Sequence, residues 1–480
     1  MRKLGLLKAA CIVYLFCATT IISPAQTQFK SLYSFTGGKK DGGNPAFENL
    51  VQGPDGQLYG TTTVSTGTNG TVFKITTAGK ITPLHVFCTG GFPCVDGATP
   101  LAGLLLANNK VFYGTTMGGG GVYTDGTVFQ ITSTGTFKSL HSFDGVDGAY
   151  PYAPLMQAAN GYLYGTTGEG GDYQIGTTFE ITTGGAFTPL ASFNSSNGTY
   201  PYGALVQGKN GILYGTTYEK TAYDGSVFQY APPGNPITLH SFGARQGGGL
   251  HSALIQATDG NFYGSAIGGG AKLTGGSVFR ISPTGTFKVI HSFCSKKDCT
   301  DGSTPYAGLI QASDGNLYGT TFAGGANETS CNGGCGTLFK ITTAGTLTTL
   351  YSFCAESDCT DGSQPQGGLV ESTDGILYGT TYYGGTMGLG TVFSFPVLEP
   401  VPFVKILANS GPVGSTVIIL GTNLNGATGV RFNGTAAESF TVVSNLEIDA
   451  TVPAVATTGK ISVITPRGTL NSNEDFVVTP

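Results

Sequence analysis

The chain has no tryptophan, only four methionines and few charges, Asp, Glu, Lys and Arg making up 11 % of its 480 residues. An average globular domain carries about 25 %, so long solvated helices laced with ion pairs are excluded. Past the first 25 residues no apolar run approaches the roughly 18 residues that a membrane-spanning helix needs, so membrane insertion is not expected. No Gly-x-Ser-x-Gly elbow, His-Glu-x-x-His pair or phosphate-binding loop occurs, so neither a cofactor nor a resident metal is expected.

What is abundant is glycine, 78 residues, beside 23 prolines and 40 % hydrophobic content. That is enough apolar material for a core, and the composition favours strands and turns. Residues 1–25 read as a secretory signal peptide: Arg2, Lys3 and Lys8, an apolar run over 9–22, then Ser23 and Ala25 at the −3 and −1 positions of a cleavage site. The expected location is extracellular, at the cell surface or in the periplasm. Cleavage leaves 20 basic against 28 acidic residues, a net charge of −8 that opposes nucleic acid and anionic membranes as partners.

A Tyr-Gly step, usually within Leu-Tyr-Gly-Thr-Thr, recurs with its tyrosine at Tyr59, Tyr113, Tyr164, Tyr214, Tyr263, Tyr318 and Tyr378. Each is followed by a Gly-(Thr/Ser)-(Val/Thr/Leu)-Phe segment whose phenylalanine is Phe73, Phe129, Phe179, Phe228, Phe279, Phe339 or Phe393. Four short β-branched and aromatic segments separated by Gly, Asp, Asn and Thr turns make each unit a four-stranded antiparallel meander, and units of about 50 residues with four strands are propeller blades. The last unit lacks its fourth strand, and residues 32–35 supply it. The fold expected is all-β: a seven-bladed propeller over residues 28–397, closed by pairing the two ends of the array in one blade.

Phe-to-Phe intervals between third and fourth strands are 14 residues in all six continuous copies, as from Phe129 to Phe143. Length varies in only two connections, fourth strand to next first strand and second strand to third, and these emerge on one face of a meander. Variable loops therefore share one face and tight turns the other, and function is expected among the loops. Eight cysteines form close pairs within those loops: Cys88 with Cys94, Cys294 with Cys299, Cys331 with Cys335 and Cys354 with Cys359. They read as local disulfides in an exported chain. Zinc would need four converging ligands, and no histidine stands near a pair at finger spacing.

After Pro400-Val401-Pro402 the repeat ends. Residues 403–480 contain no cysteine and alternate strands with turns at 415–420, 429–432, 439–443, 447–452 and 460–465, the size of a small β-sandwich. The stretches Gly411-Pro412-Val413-Gly414-Ser415-Thr416-Val417, Gly421-Thr422-Asn423-Leu424, Val430-Arg431-Phe432-Asn433-Gly434 and Thr465-Pro466-Arg467-Gly468 resemble the IPT/TIG family, which implies an immunoglobulin-like fold. The repeats, through Gly-Leu-Ile-Gln, Asp-Gly-x-Leu-Tyr-Gly-Thr-Thr and Gly-Thr-Val-Phe, resemble the GloVer tandem repeats of bacterial exported proteins. That likeness implies architecture and location and brings no catalytic residues with it.

Asp41, Asp96, Asp147, Asn197, Asp301 and Asp361 precede glycine on the variable face, where they could hold a cation or simply build turns. His85, His141, His240 and His291 share one repeat position and read as packing. His251 lies in the irregular stretch from Arg245 to His251 and is a candidate, as is Arg245. A sialidase-type arginine triad is excluded, because the propeller has only Arg245 and Arg280; quinone-dependent dehydrogenase propellers lean on the tryptophan missing here. Loop tyrosines remain: Tyr150, Tyr152, Tyr173, Tyr200, Tyr202, Tyr218, Tyr223, Tyr306, Tyr382 and Tyr383, with Glu169, Asp172 and Glu219 among them. Each either packs between blades or offers a stiff ring with a polar tip to a ligand. The expected function is non-catalytic binding of glycan or protein, or a surface-architecture role; the alternative is a glycan-active hydrolase or lyase using Glu169, Asp172 and Glu219.

Overall fold

The Tyr-Gly motif is a strand whose every position has an assigned contact. In the second blade, Gly114 lies directly opposite Phe129 in the antiparallel pair of Phe112–Thr116 with Thr127–Ile131. A Cβ on Gly114 would stand 2.5 Å from the Phe129 ring, so glycine lets the ring lie across the neighbouring strand. The Tyr113 hydroxyl accepts from Asn109 Nδ2 of the preceding tight turn at 2.7 Å, and the Thr116 and Thr127 hydroxyls pair at 2.8 Å. The equivalent Tyr59, Tyr263, Tyr318 and Tyr378 hydroxyls donate instead to Asp55, Asp259, Asp314 and Asp374, which thereby have structural work in their turns.

The computed structural model describes residues 28–479 except 46, 48, 66–68, 123, 219–224, 271–272, 328–330, 332 and 398–399; the segment read as a signal peptide lies outside them. Six four-stranded sheets and one five-stranded sheet form the seven blades, the fifth strand being Gly43–Pro45 beside Leu58–Val64. In the seventh blade Lys30–Ser34 is the outer strand, antiparallel to Thr391–Pro396 with Lys30 opposite Ser394 and Ser34 opposite Thr391. Phe29 extends the closure by stacking on Tyr351 of the sixth blade at 3.9 Å.

The inner strands are shorter than the sequence suggests, two residues each, as in Val206–Gln207 and Ile310–Gln311. What holds one blade to the next is a side chain. Gln157, Gln207, Gln256 and Gln311 each turn Oε1 to a backbone N–H of the preceding blade, at Asn108, Ala159, Lys209 and Thr258, over 2.8–2.9 Å. Glu371 accepts the Ser313 N–H at 2.7 Å, and Gln52 closes the ring by accepting the Thr373 N–H at 3.1 Å. Only the second blade, with Leu106 there, lacks the acceptor.

All four predicted disulfides are present, joining Cys88 to Cys94, Cys294 to Cys299, Cys331 to Cys335 and Cys354 to Cys359. Their loops are also tied by backbone. The Cys94 carbonyl accepts from Gly97 and Gly120 at 3.0 and 2.8 Å, and the Cys299 carbonyl from Gly302 and Gly325 at 2.8 and 3.0 Å. Each of these two staples thus anchors the other variable loop of its own blade. The sulfurs of Cys331, Cys335 and Cys359 lie within 4.8 Å of one another, but all three are disulfide-bonded and none is a free thiolate. No helix among the described residues is long and apolar enough to cross a membrane.

The immunoglobulin-like sandwich expected after the propeller is one nine-stranded sheet curled over a single core. Phe403–Ile406 joins its halves: Phe403 and Val404 pair with Gly468–Thr479, Lys405 and Ile406 with Thr416–Leu420. Gly468–Thr479, twelve residues long, was not expected as a strand. Its polar run through Asn471, Ser472, Asn473, Glu474 and Asp475 has low strand propensity, and it is held at its ends, Asn471 opposite Ser462 and Asp475 opposite Lys460, while Asn471 and Ser472 pair with Phe403 and Val404 on the other side.

The sheet docks on the tight-turn face. Lys110 of the second blade reaches Glu447 and Asp449, Lys209 of the fourth meets Asp475 at 2.7 Å, and Thr422 donates to the Thr373 carbonyl at 3.3 Å.

Two tests of closure follow. A chain without residues 28–36 should lose the cooperative propeller transition in calorimetry and expose two sheet edges; an unchanged transition would refute the pairing. Gln52→Ala leaves the buried Thr373 N–H without its acceptor and should cost about 1–3 kcal/mol in denaturant unfolding.

Candidate functional site

On the variable face each blade reaches its inner strand through a residue held in left-handed backbone. Tyr150 (φ +52°) and Tyr200 (φ +56°) are two of these, pinned by N–H bonds to the Asp125 and Ile175 carbonyls of the preceding blade. A proline follows in most blades, then the residue that points from the face: Tyr152, Tyr202 and Tyr306 in the third, fourth and sixth, and His251 in the fifth, where Leu250 replaces the proline. A second position, just after Thr-Thr of the second strand, adds Tyr218 and Phe322.

These two positions make one aromatic shelf across four blades. Tyr152 meets Tyr202 at 4.5 Å, Tyr202 stacks on Tyr218 at 5.3 Å, Tyr218 lies 4.7 Å from His251, His251 5.4 Å from Tyr306, and Tyr306 5.3 Å from Phe322. All six rings are partly exposed. In the third blade the position after Thr-Thr is Gly168, whose Cβ would fall 2.7 Å from the Tyr152 ring and 2.8 Å from the Tyr202 ring. A side chain is missing where two rings need the room.

The shelf is uncharged at neutral pH. Burial pushes the His251 imidazole down to about 4. It raises the Tyr152, Tyr202 and Tyr306 phenols, with nearby Glu169 adding to the rise for Tyr152 and Tyr202.

The other candidates fall elsewhere. Tyr200 is buried at the edge of the shelf, 6.2 Å from Tyr202. Tyr382 packs on Tyr383 and Phe47 in a separate cluster. Tyr150 is half-buried at its backbone turn, while Asp172, Tyr173 and Arg245 are exposed. Glu169 bridges to Ala149 through its backbone. Glu219 and Tyr223 lie outside the described residues. Phe322 and Phe47 escaped the sequence reading, although aligning the repeats puts Phe322 in the same position as Tyr218 and Tyr382.

The six Asp/Asn-Gly residues are turn builders. Asp361 accepts the Ala355 N–H and the Tyr351 hydroxyl at 2.9 and 2.7 Å, and Gln246, where the acid is missing, takes the Gly243 N–H at 3.0 Å. The four repeat-position histidines likewise face these turn residues, His141 Nε2 lying 2.7 Å from Asp147 while its ring stacks on Phe187 at 3.7 Å.

Among solved structures, virginiamycin B lyase from Staphylococcus aureus is similar in fold at 15 % identity, covering 77 % of this chain and 99 % of its own, with a TM-score of 0.50. A putative 6-phosphogluconolactonase from Bacteroides uniformis is also 15 % identical, with coverages of 68 % and 91 % and a TM-score of 0.42. An auxiliary nutrient binding protein from Bacteroides thetaiotaomicron is 12 % identical, with coverages of 61 % and 69 % and a TM-score of 0.40. At such identities the first likeness concerns the fold alone. No curated protein matches the sequence. The profile of the Gloeobacter/Verrucomicrobia repeat matches residues 19–158, 90–275 and 251–441, and the protein belongs to that repeat family.

Proposed function

We propose that the protein is a secreted, non-catalytic binding protein that recognises glycan through the variable face of its propeller. The observation that carries this reading is the continuous, uncharged aromatic shelf from Tyr152 to Phe322. Sugar rings present flat C–H faces that stack on tyrosine, while phenol hydroxyls and a neutral imidazole exchange hydrogen bonds with sugar hydroxyls. Export is supported by the four disulfides and by the basic-then-apolar start of the chain. We take residues 28–397 as the propeller domain and 403–480 as an IPT/TIG module; the Gly-Pro-Val-Gly and Phe-Asn-Gly turns and the curled sheet support the second assignment.

On a glycan array the mature protein should bind a defined set of saccharides. Tyr202→Ala, which removes the ring touching Tyr152, Tyr218 and His251, should weaken that binding about tenfold or more, roughly 1.4 kcal/mol per decade. Binding only to proteins would move the reading to a protein ligand. Turnover of a polysaccharide abolished by Glu169→Gln would replace it with the hydrolase or lyase.

His251 gives a second test. Its folded pKa lies below the unfolded value of 6.5, so the unfolded chain takes up the proton first. The stability contributed by neutral His251 is full above pH 6.5 and is lost as the pH falls towards about 4. Thermal melts of His251→Phe should show a flatter pH dependence across that window than the parent protein.

A further inference from the structure

The central channel of the ring is closed at its tight-turn end by the C-terminal sheet, leaving a chamber of about 470 Å³ lined by all seven blades and by that sheet. This lies within the roughly 300–1,000 Å³ of small-molecule sites. Its wall is a ring of aliphatic side chains from the inner strands: Val51, Leu105, Val206, Ile255, Ile310 and Val370. Most of these are half-exposed although they sit at the centre of the propeller, because the inner strands face the channel.

The sheet contributes a cation. Lys405 lines the chamber, and its strand spends its backbone pairing on Leu420, so the side chain is carried to the junction with the propeller. The neighbouring carboxylates are committed elsewhere. Glu371 receives the Ser313 N–H and hydroxyl at 2.7 and 2.6 Å, and Asp475 is shared by Lys209 at 2.7 Å and Lys460 at 3.7 Å. Glu474 is exposed to solvent. Among the described residues the Lys405 ammonium has no hydrogen bond and no carboxylate within ion-pair distance. The Asn473 carboxamide on the same wall has a buried oxygen without a partner, and turned over it would offer an N–H to the chamber.

A half-buried ammonium without an acceptor is costly, and an apolar wall beside it selects what can relieve the cost. We propose that the chamber binds a small organic carboxylate with an apolar body, its carboxylate on Lys405 and its hydrocarbon part against the aliphatic ring. Burial holds the Lys405 pKa below the ordinary lysine value although Glu474 and Glu371 act to raise it, which agrees with a charge short of a partner.

Calorimetric titration of the full mature chain with sodium octanoate, octan-1-ol and octylammonium tests this. Octanoate should bind one to one and at least tenfold more tightly than the alcohol or the amine. Lys405→Met should weaken octanoate tenfold or more without changing octan-1-ol, and Ile255→Trp, which fills the wall, should abolish both. Absent octanoate binding, equal binding of the alcohol, undiminished binding by Lys405→Met or retention in Ile255→Trp would each overturn the proposal. The comparison of the three probes on the parent protein decides even if Lys405→Met fails to fold.

Discussion

The structure depends on one bond type that is not part of any strand. With inner strands of two residues, a blade cannot be fixed to its neighbour by sheet pairing. The glutamine carboxamide, reaching back to a backbone N–H one blade earlier, sets the spacing between blades while aromatic residues fill the gap. The bond is worth little alone, about 0.5–1.5 kcal/mol net, but leaving its buried N–H unmet would cost more. Because Gln52 and Thr373 are 321 residues apart, the same contact also ties the last blade to the first.

A ring built this way is nearly uniform on the tight-turn face and free to vary on the other. The aromatic shelf occupies repeat positions that in other blades hold Leu101, Gln366 or Met117, so the scaffold does not require the rings. Four consecutive blades carry them, and Gly168 clears space between two. The unbroken run of ring contacts, which Tyr382 at the same repeat position of the seventh blade does not join, is what separates the shelf from ordinary blade packing.

The C-terminal sheet changes what the ring is. By docking through Lys110 and Lys209 it turns a through-channel into a chamber closed at one end. It also carries Lys405 to a wall that the propeller lines with aliphatic and amide groups beside Lys209 and Glu371. The molecule thus has two surfaces of different chemistry, an open uncharged shelf and a chamber, closed at one end, whose aliphatic wall carries Lys405.

The sequence by itself determined the blade count, the circular closure by the segment around residues 32–35, the local disulfides and the face bearing the loops. These follow from periodicity and from contacts near in sequence, such as Tyr113 with Asn109, Cys88 with Cys94 or Cys294 with Cys299. Tertiary structure alone decided which loop tyrosines meet, because Tyr152 and Tyr306 stand 154 residues apart in a chain that does not encode their separation locally. It alone made a strand of the polar run 471–475, since Ser462 and Lys460 on one side and Phe403 and Val404 on the other supplied the pairing that propensity did not. And it alone placed Lys405 beneath the channel, because that position is set by how two independently patterned modules dock, and docking arises from side chains hundreds of residues apart.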